Sequence, residues 1–308
     1  MKNRKPVLIA VVVLMLVFPA IDGLAAEWHE FVETIGTQGS INWSIGIIAA
    51  TGIGVPYEED YGESRACDDA IKAAEAAETV ARRSLLEATR CVRVDSATLV
   101  KNFMAESDVI QSQVSGMVKK AQTVKKEYLS DGTVKVTVAM SLRGGFAQLM
   151  LPGDIKQVPE IKTIPPVPLA PANKEKVSEA SIPQSPGPTT QTVAPAIYTG
   201  LVLDARGLNA RPAMSPRILD ENGQEVYGSA YVSRELVVQH GMAGYARDLT
   251  ASQTNPRVID KPFTVKGLRI KGPGRSDFVI SNADAAKIRS ASESLSFLKK
   301  CRVMIVLD

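Results

Sequence analysis

The sequence predicts an α+β protein: two small mixed domains, each with helices packed on a mainly antiparallel sheet, joined by a Pro-rich linker. Three observations carry that expectation. The chain has 308 residues, which suits about two domains at ~100–200 residues each. Ten of its 18 prolines fall between Leu151 and Pro195 with no helical or strand period among them, the composition of an extended, polyproline-leaning spacer. On both sides of that spacer, alternating segments and segments of helical period are interleaved, and no repeat of fixed length appears. The expected division is 1–25 signal peptide, 26–150 N-terminal α+β domain, 151–196 Pro-rich linker and 197–308 C-terminal mixed α/β domain. Such a linker has the reach to hold two domains tens of ångströms apart.

The first segment opens with Lys2, Arg4 and Lys5, continues as an apolar run from Val7 to Phe18, and closes on Gly23, Ala25 and Ala26. That is the layout of a secretory signal peptide, and the run is shorter than the ~20 residues that span a bilayer as a helix. Export to the periplasm or to an outer-membrane-associated position is expected. No cysteine stands at the cleavage region, so lipidation there is not expected. Removing Lys2, Arg4, Lys5 and Asp22 lowers the formal charge from +3 to +1. A nearly neutral mature chain has little electrostatic reason to bind nucleic acid.

In the N-terminal half, Ile41, Trp43, Ile45 and Ile47 alternate with Asn42, Ser44 and Gly46, the pattern of a half-buried strand, with Gly52, Gly54 and Pro56 as its terminators. From about Ser64 to Thr89, Ala70, Ala74, Ala77, Ala81, Leu85 and Ala88 form one stripe at steps of three and four. An amphipathic helix with so small a stripe must lie close against its partner, expected to be a sheet. A short strand at Cys91–Asp95 and a helix over about Glu106–Ser115 are expected next. A hairpin then follows, with strands at about Met117–Tyr128 and Val134–Leu142 and a turn at Ser130-Asp131-Gly132.

In the C-terminal half, Tyr198–Asp204 reads as a strand ended by Ala205-Arg206-Gly207, and Arg217–Tyr227 as a hairpin about Glu221-Asn222-Gly223. Val279 and Ile280 close another strand. Asp284–Leu298 reads as a helix with Ser281 or Asn282 as its cap, and Val303–Leu307 as a terminal strand.

Cys67, Cys91 and Cys301 are the only cysteines. Twenty-four residues of continuous helix put Cys67 and Cys91 ~36 Å apart, far beyond the ~7 Å Cα limit of a disulfide. Three free thiols are favoured. With two histidines and no C-x-x-C or H-E-x-x-H, neither a metal site nor a cofactor is expected, and the balance is against an enzyme.

The segments AAETVARRSLLEATRCVRVDSATLV and SGMVKKAQTVKKEYLSDGTVKVTVAMSL carry a resemblance. An alanine-rich helix runs into Leu85-Leu86, then a strand and polar turn at Val94-Asp95-Ser96. A hairpin follows, marked by Gly116, Val118, Asp131, Gly132, Val136 and Val138. Over about residues 65–145 this resembles the Lpp-twenty family of bacterial envelope lipoproteins, and it is similar to the N-terminal domain of flagellar outer-membrane ring proteins. The resemblance implies a non-enzymatic domain that works by assembly in the envelope, with outer-membrane or flagellum-associated structures as its setting. The segment LVLDARG at Leu201–Gly207 is similar to the first strand of zinc-dependent cell-wall amidases. Its turn lacks the histidine of that pattern, and three zinc ligands cannot be assembled.

Two sets of binding candidates remain. Asp204 with Arg206, Arg211 and Arg217 suits an anion or acidic glycan such as peptidoglycan, because the planar guanidinium fork matches carboxylates. The alternative is an internal ion-pair network. Lys119, Lys120, Lys125 and Lys126, with Lys135, concentrate charge on the N-terminal hairpin. They suit an acidic envelope partner such as anionic lipid, or they protect a sheet edge from mispairing. The expected function is therefore an exported, non-enzymatic envelope protein with an assembly or interaction role, whose partners are envelope proteins or further copies of itself. A periplasmic binding module for peptidoglycan or an acidic ligand is the alternative.

Overall fold

The computed structural model describes residues 30–56, 66–153, 155 and 198–308, apart from 296 and the side chains of 66, 67 and 291–295. The expected signal peptide, nearly all of the expected linker and the Cys67 side chain lie outside the described residues.

The N-terminal half comprises β1 (Val32–Ile35), β2 (Gly39–Asn42), β3 (Ile47–Gly54), α1 (Ala66–Arg90), α2 (Val100–Glu106), α3 (Asp108–Lys119), β4 (Gln122–Tyr128), β5 (Val134–Ser141) and α4 (Gly145–Met150). Its five strands form one antiparallel sheet in the order β1-β2-β3-β5-β4. The alanine stripe of α1 does lie against that sheet: Ala73, Ala77, Ala81, Leu85 and Ala88 are buried over β3 and β5. The approach is close because β3 presents glycine there. A Cβ at Gly52 would stand 2.1 Å from the Ala77 carbonyl oxygen, and one at Gly54 1.9 Å from that of Ala73. Small residues on both elements thus let helix and strand backbones meet.

The strand β3 does end at Gly54, as expected before Pro56, but Gly52 lies inside it rather than ending it. The expected strand across Ile41–Ile47 is also replaced. Asn42 closes β2, and its Oδ1 accepts from the amides of Ser44 and Ile45. Gly46 adopts φ +70°, so the chain reverses where the alternation suggested it ran straight. Local Asx-turn chemistry overrides the apolar period. Similarly, Met117–Lys119 belong to α3 rather than to the hairpin, and a separate helix, α2, precedes it.

The C-terminal half comprises β6 (Gly200–Asp204), β7 (Arg217–Leu219), β8 (Glu225–Tyr227), α5 (Arg234–His240), β9 (Gly244–Ala246), α6 (Leu249–Gln253), β10 (Pro262–Lys266), β11 (Arg269–Lys271), β12 (Asp277–Val279), α7 (Asn282–Leu295) and β13 (Val303–Val306). One sheet, β10-β6-β13-β9, is parallel throughout, and the other, β11-β12-β7-β8, is mixed. Leu201, Val202 and Leu203 of β6 and Val303–Val306 of β13 are buried without alternation, as strands covered on both faces require. The Ser281 hydroxyl accepts from the Asp284 amide and caps α7.

The two halves share one continuous core. The extended stretch after α1 is not a strand of the N-terminal sheet. Its carbonyls at Arg93 and Val94 accept from Met214 (3.0 Å) and Ser215 (2.7 Å), and that of Ser96 accepts from Gly274 (2.8 Å). Elsewhere along the seam, the Gly144 amide donates to Val238 O, and Arg234 donates to the carbonyls of Pro152 and Gln148. Trp43, at the tip of the β2–β3 turn, meets Tyr245 edge-on at 5.9 Å, and the Ser44 hydroxyl donates to Tyr245 O. Whatever reach the linker has, the described halves are packed against each other.

Candidate functional site

The eight sequence candidates do not converge. Asp204 and Arg206 close on each other at the carboxyl end of β6, through two bonds of 2.8 Å. The guanidinium holds the Asp204 carboxyl below its ordinary pKa, and the carboxylate raises that of Arg206. Ligands of open α/β sheets bind at such strand ends, but here the fork is already filled. Arg217 pairs with Asp277, which is buried, and also donates to the Ser96 hydroxyl across the seam. Arg211 is exposed, and among the described residues its amide donates to Arg275 O while its guanidinium meets no partner. Lys119 and Lys120 stand at the end of α3, just before the first hairpin strand, and Lys120 shares a groove with Gln122 and Val124 of β4. Lys125 pairs with Glu127 at 2.8 Å and Lys126 with Glu78 at 3.9 Å, on an edge strand exposed along its length. Lysines at such a position blunt edge-to-edge pairing.

Two further features emerge from the fold. The first is the open face of the N-terminal sheet. The helix α1 covers the face that carries Ile41, Ile48, Val136 and Val138. The opposite face carries Ile47, Ala49, Thr51 and Ile53 of β3, registered against Ser141, Ala139, Thr137 and Lys135 of β5. Val32, Ile45, Ile47, Ile53 and Val124 are between 36% and 59% exposed on this side of the molecule. A groove of about 450 Å³ joins Ile45 and Ile47 to Met117 and Val124. The alternation of β3 could have revealed this face, had Gly52 not been read as a terminator.

The second is a cleft on the seam, lined from the N-terminal half by Trp43, Gly46, Leu142 and Arg143 and from the C-terminal half by Met214, His240, Met242 and Tyr245, among others. It is about half open and holds about 40 Å³, room for about three waters at ~10–15 Å³ each. Desolvation pushes the Arg143 pKa down, and no acidic group among the described residues offsets it. Behind the His240-Gly241 wall, Arg257 donates to the carbonyls of His240, Gly241 and Cys301. Its pKa is also pushed down, first by burial and further by Arg143. None of this cleft is legible as a motif, because its lining is assembled from segments some hundred residues apart.

Among the described residues, no group of three His, Cys, Asp or Glu side chains is placed to hold a metal ion, and no helix is long and apolar enough to cross a membrane. Residues 200–308 match the family described as Treponema pallidum Tp0624, second domain. The similarity lies wholly in the C-terminal half and covers about a third of the chain. No curated protein matches the sequence.

Proposed function

We propose that this chain is an exported envelope protein that works by assembly, and that the open face of its N-terminal sheet is the surface through which copies of it associate. The observation that carries this reading is the row of half-exposed aliphatic side chains, Ile45, Ile47, Ile53 and Val32, on a sheet whose other face is sealed by α1. Half-exposed aliphatic side chains gathered on one side of a sheet favour association, and two like faces brought together by a two-fold axis bury them twice. The basic head and apolar run of residues 2–18 support export, and the resemblance of residues 65–145 to envelope and flagellar-ring domains supports the setting. The alternative that placed an acidic ligand on Arg206 and Arg217 is weakened by their engagement with Asp204 and Asp277.

The test is the mass in solution of the chain from residue 26 onward, across a hundredfold range of concentration. Concentration-dependent oligomers that dissociate in Ile47→Lys and Ile53→Lys variants of unchanged Tm support the proposal. A monomer at every concentration, or oligomers indifferent to both substitutions, would overturn it.

A further inference from the structure

We infer that the seam cleft is a binding site for a compact carboxylate, one whose acid group is attached to an apolar fragment of about one to three carbons. The walls are apolar or aromatic: Trp43, Leu142, Met214, Met242 and Tyr245. Pockets for small organic ligands combine such walls with a few convergent polar groups. Here those groups are Arg143 and His240, one from each half.

The charge argument is independent of the shape. Arg143 lies on the backbone of Gly46, where a Cβ would stand 3.0 Å from its Nε. It loses hydration there without gaining a carboxylate partner among the described residues. Arg257, on the far side of the His240-Gly241 wall, satisfies its donors with three carbonyls. Hydrogen bonds to carbonyls fill the fork but leave the positive charge uncompensated, and the field of both guanidiniums extends into a low-dielectric cleft. Arginine's fork accepts a carboxylate in two parallel bonds, so a single monoanion supplies what the cleft lacks. Size sets the rest of the ligand. A half-open cleft of about 40 Å³ accommodates a carboxylate and a methyl-sized group, and a longer chain projects out through its mouth. Free short-chain acids and the C-terminus of a peptide ending in alanine both present this chemistry.

The cleft uses none of Val32, Ile53 or Val124, but Arg143 also lines the groove beside Ile45 and Ile47. The mass in solution of the Arg143→Gln chain is therefore measured alongside, and loss of acid binding with an unchanged oligomeric state separates the two readings. The experiment is calorimetric titration of the chain from residue 26 with isobutyrate, N-acetyl-alanyl-alanine and N-acetyl-alanyl-alanine amide. Trp43 fluorescence, in a Trp28→Phe background, gives a second readout. Saturable binding of either acid at millimolar concentration or below is expected. The amide, and either acid with Arg143→Gln, should bind at least tenfold more weakly. A peptide acid bound tenfold more tightly than isobutyrate identifies a peptide terminus as the source, and the reverse order identifies a free acid. Because Arg143→Gln preserves most of the side chain's length, an unchanged Tm separates loss of binding from loss of fold. No saturable binding of either acid would overturn the inference. So would equal binding of acid and amide, or binding unchanged by Arg143→Gln at equal Tm.

Discussion

The Arg217 guanidinium spans the seam between the two halves, gripping the buried Asp277 carboxylate while one of its nitrogens donates to the Ser96 hydroxyl. Ser96 in turn donates to Asp277 at 2.7 Å, so the carboxylate is served from both halves. Among the described residues, Arg217→Ala leaves the buried Asp277 carboxylate with the serine as its partner. Breaking a fully buried pair costs about 3–5 kcal/mol. Because the Arg217 side chain is 46% exposed, water screens part of that, and about 2 kcal/mol is expected. Arg206→Ala, at the more open Asp204 pair, should cost no more than about 1 kcal/mol. Urea midpoints of the two variants, compared at equal m-value, check the contrast.

Gly52 and Gly54 should be the least substitutable glycines in the N-terminal half. Gly52→Ala drives a methyl into the Ala77 carbonyl and the Ala81 amide, which forces α1 off the sheet. More than about 3 kcal/mol, or failure to fold, is expected. Gly116→Ala, inside α3 with open space around its Cβ position, should instead stabilise by about 0.5–1 kcal/mol through helix propensity. Thermal melts of the two variants give opposite signs if the glycines serve as described.

Cys301 makes a prediction about alkaline pH. Burial pushes its thiol up to about 11 from an ordinary 9. A raised value means that the fold favours the neutral thiol. Its contribution is therefore whole below about pH 9 and is lost as pH climbs through 11, up to about 2–3 kcal/mol. The urea midpoint should fall between pH 9 and 11 in the native sequence and fall less in Cys301→Ala. Mass mapping after a brief pulse of a thiol reagent at pH 8 should label Cys91, which is exposed and free, and spare Cys301.

The continuous core predicts that the halves lose structure together. Trp43 fluorescence and far-UV circular dichroism should report one coincident urea transition. Two separated transitions would show that the seam is weaker than its hydrogen bonds imply.

How much was legible in the residues follows the range of the interactions. The alanine stripe of α1, the Asp131-Gly132 turn, the alternation of β5, the Asn222-Gly223 turn and the Ser281 cap are local signals, and each places its element within a few residues. The Trp43 turn was obscured because its apolar residues happen to alternate. Trp43 is buried against the other half, while Ile45 faces water. The arginines after Asp204 were recognisable as anion ligands by chemistry. Which carboxylates they meet depends on Asp277, sixty residues from Arg217, and no local period reports that. The cleft was hidden for the same reason, since Arg143 and His240 come together only when the halves do.

The seam has a consequence for the covalent chain itself. If backbone hydrogen bonds from Met214, Ser215, Gly274 and Gly144 already hold the halves together, the peptide connection between 155 and 198 is redundant once folding is complete. A protease cut there would then convert one polypeptide into a non-covalent heterodimer of the same shape. The two fragments should co-elute on a sizing column and separate only in denaturant.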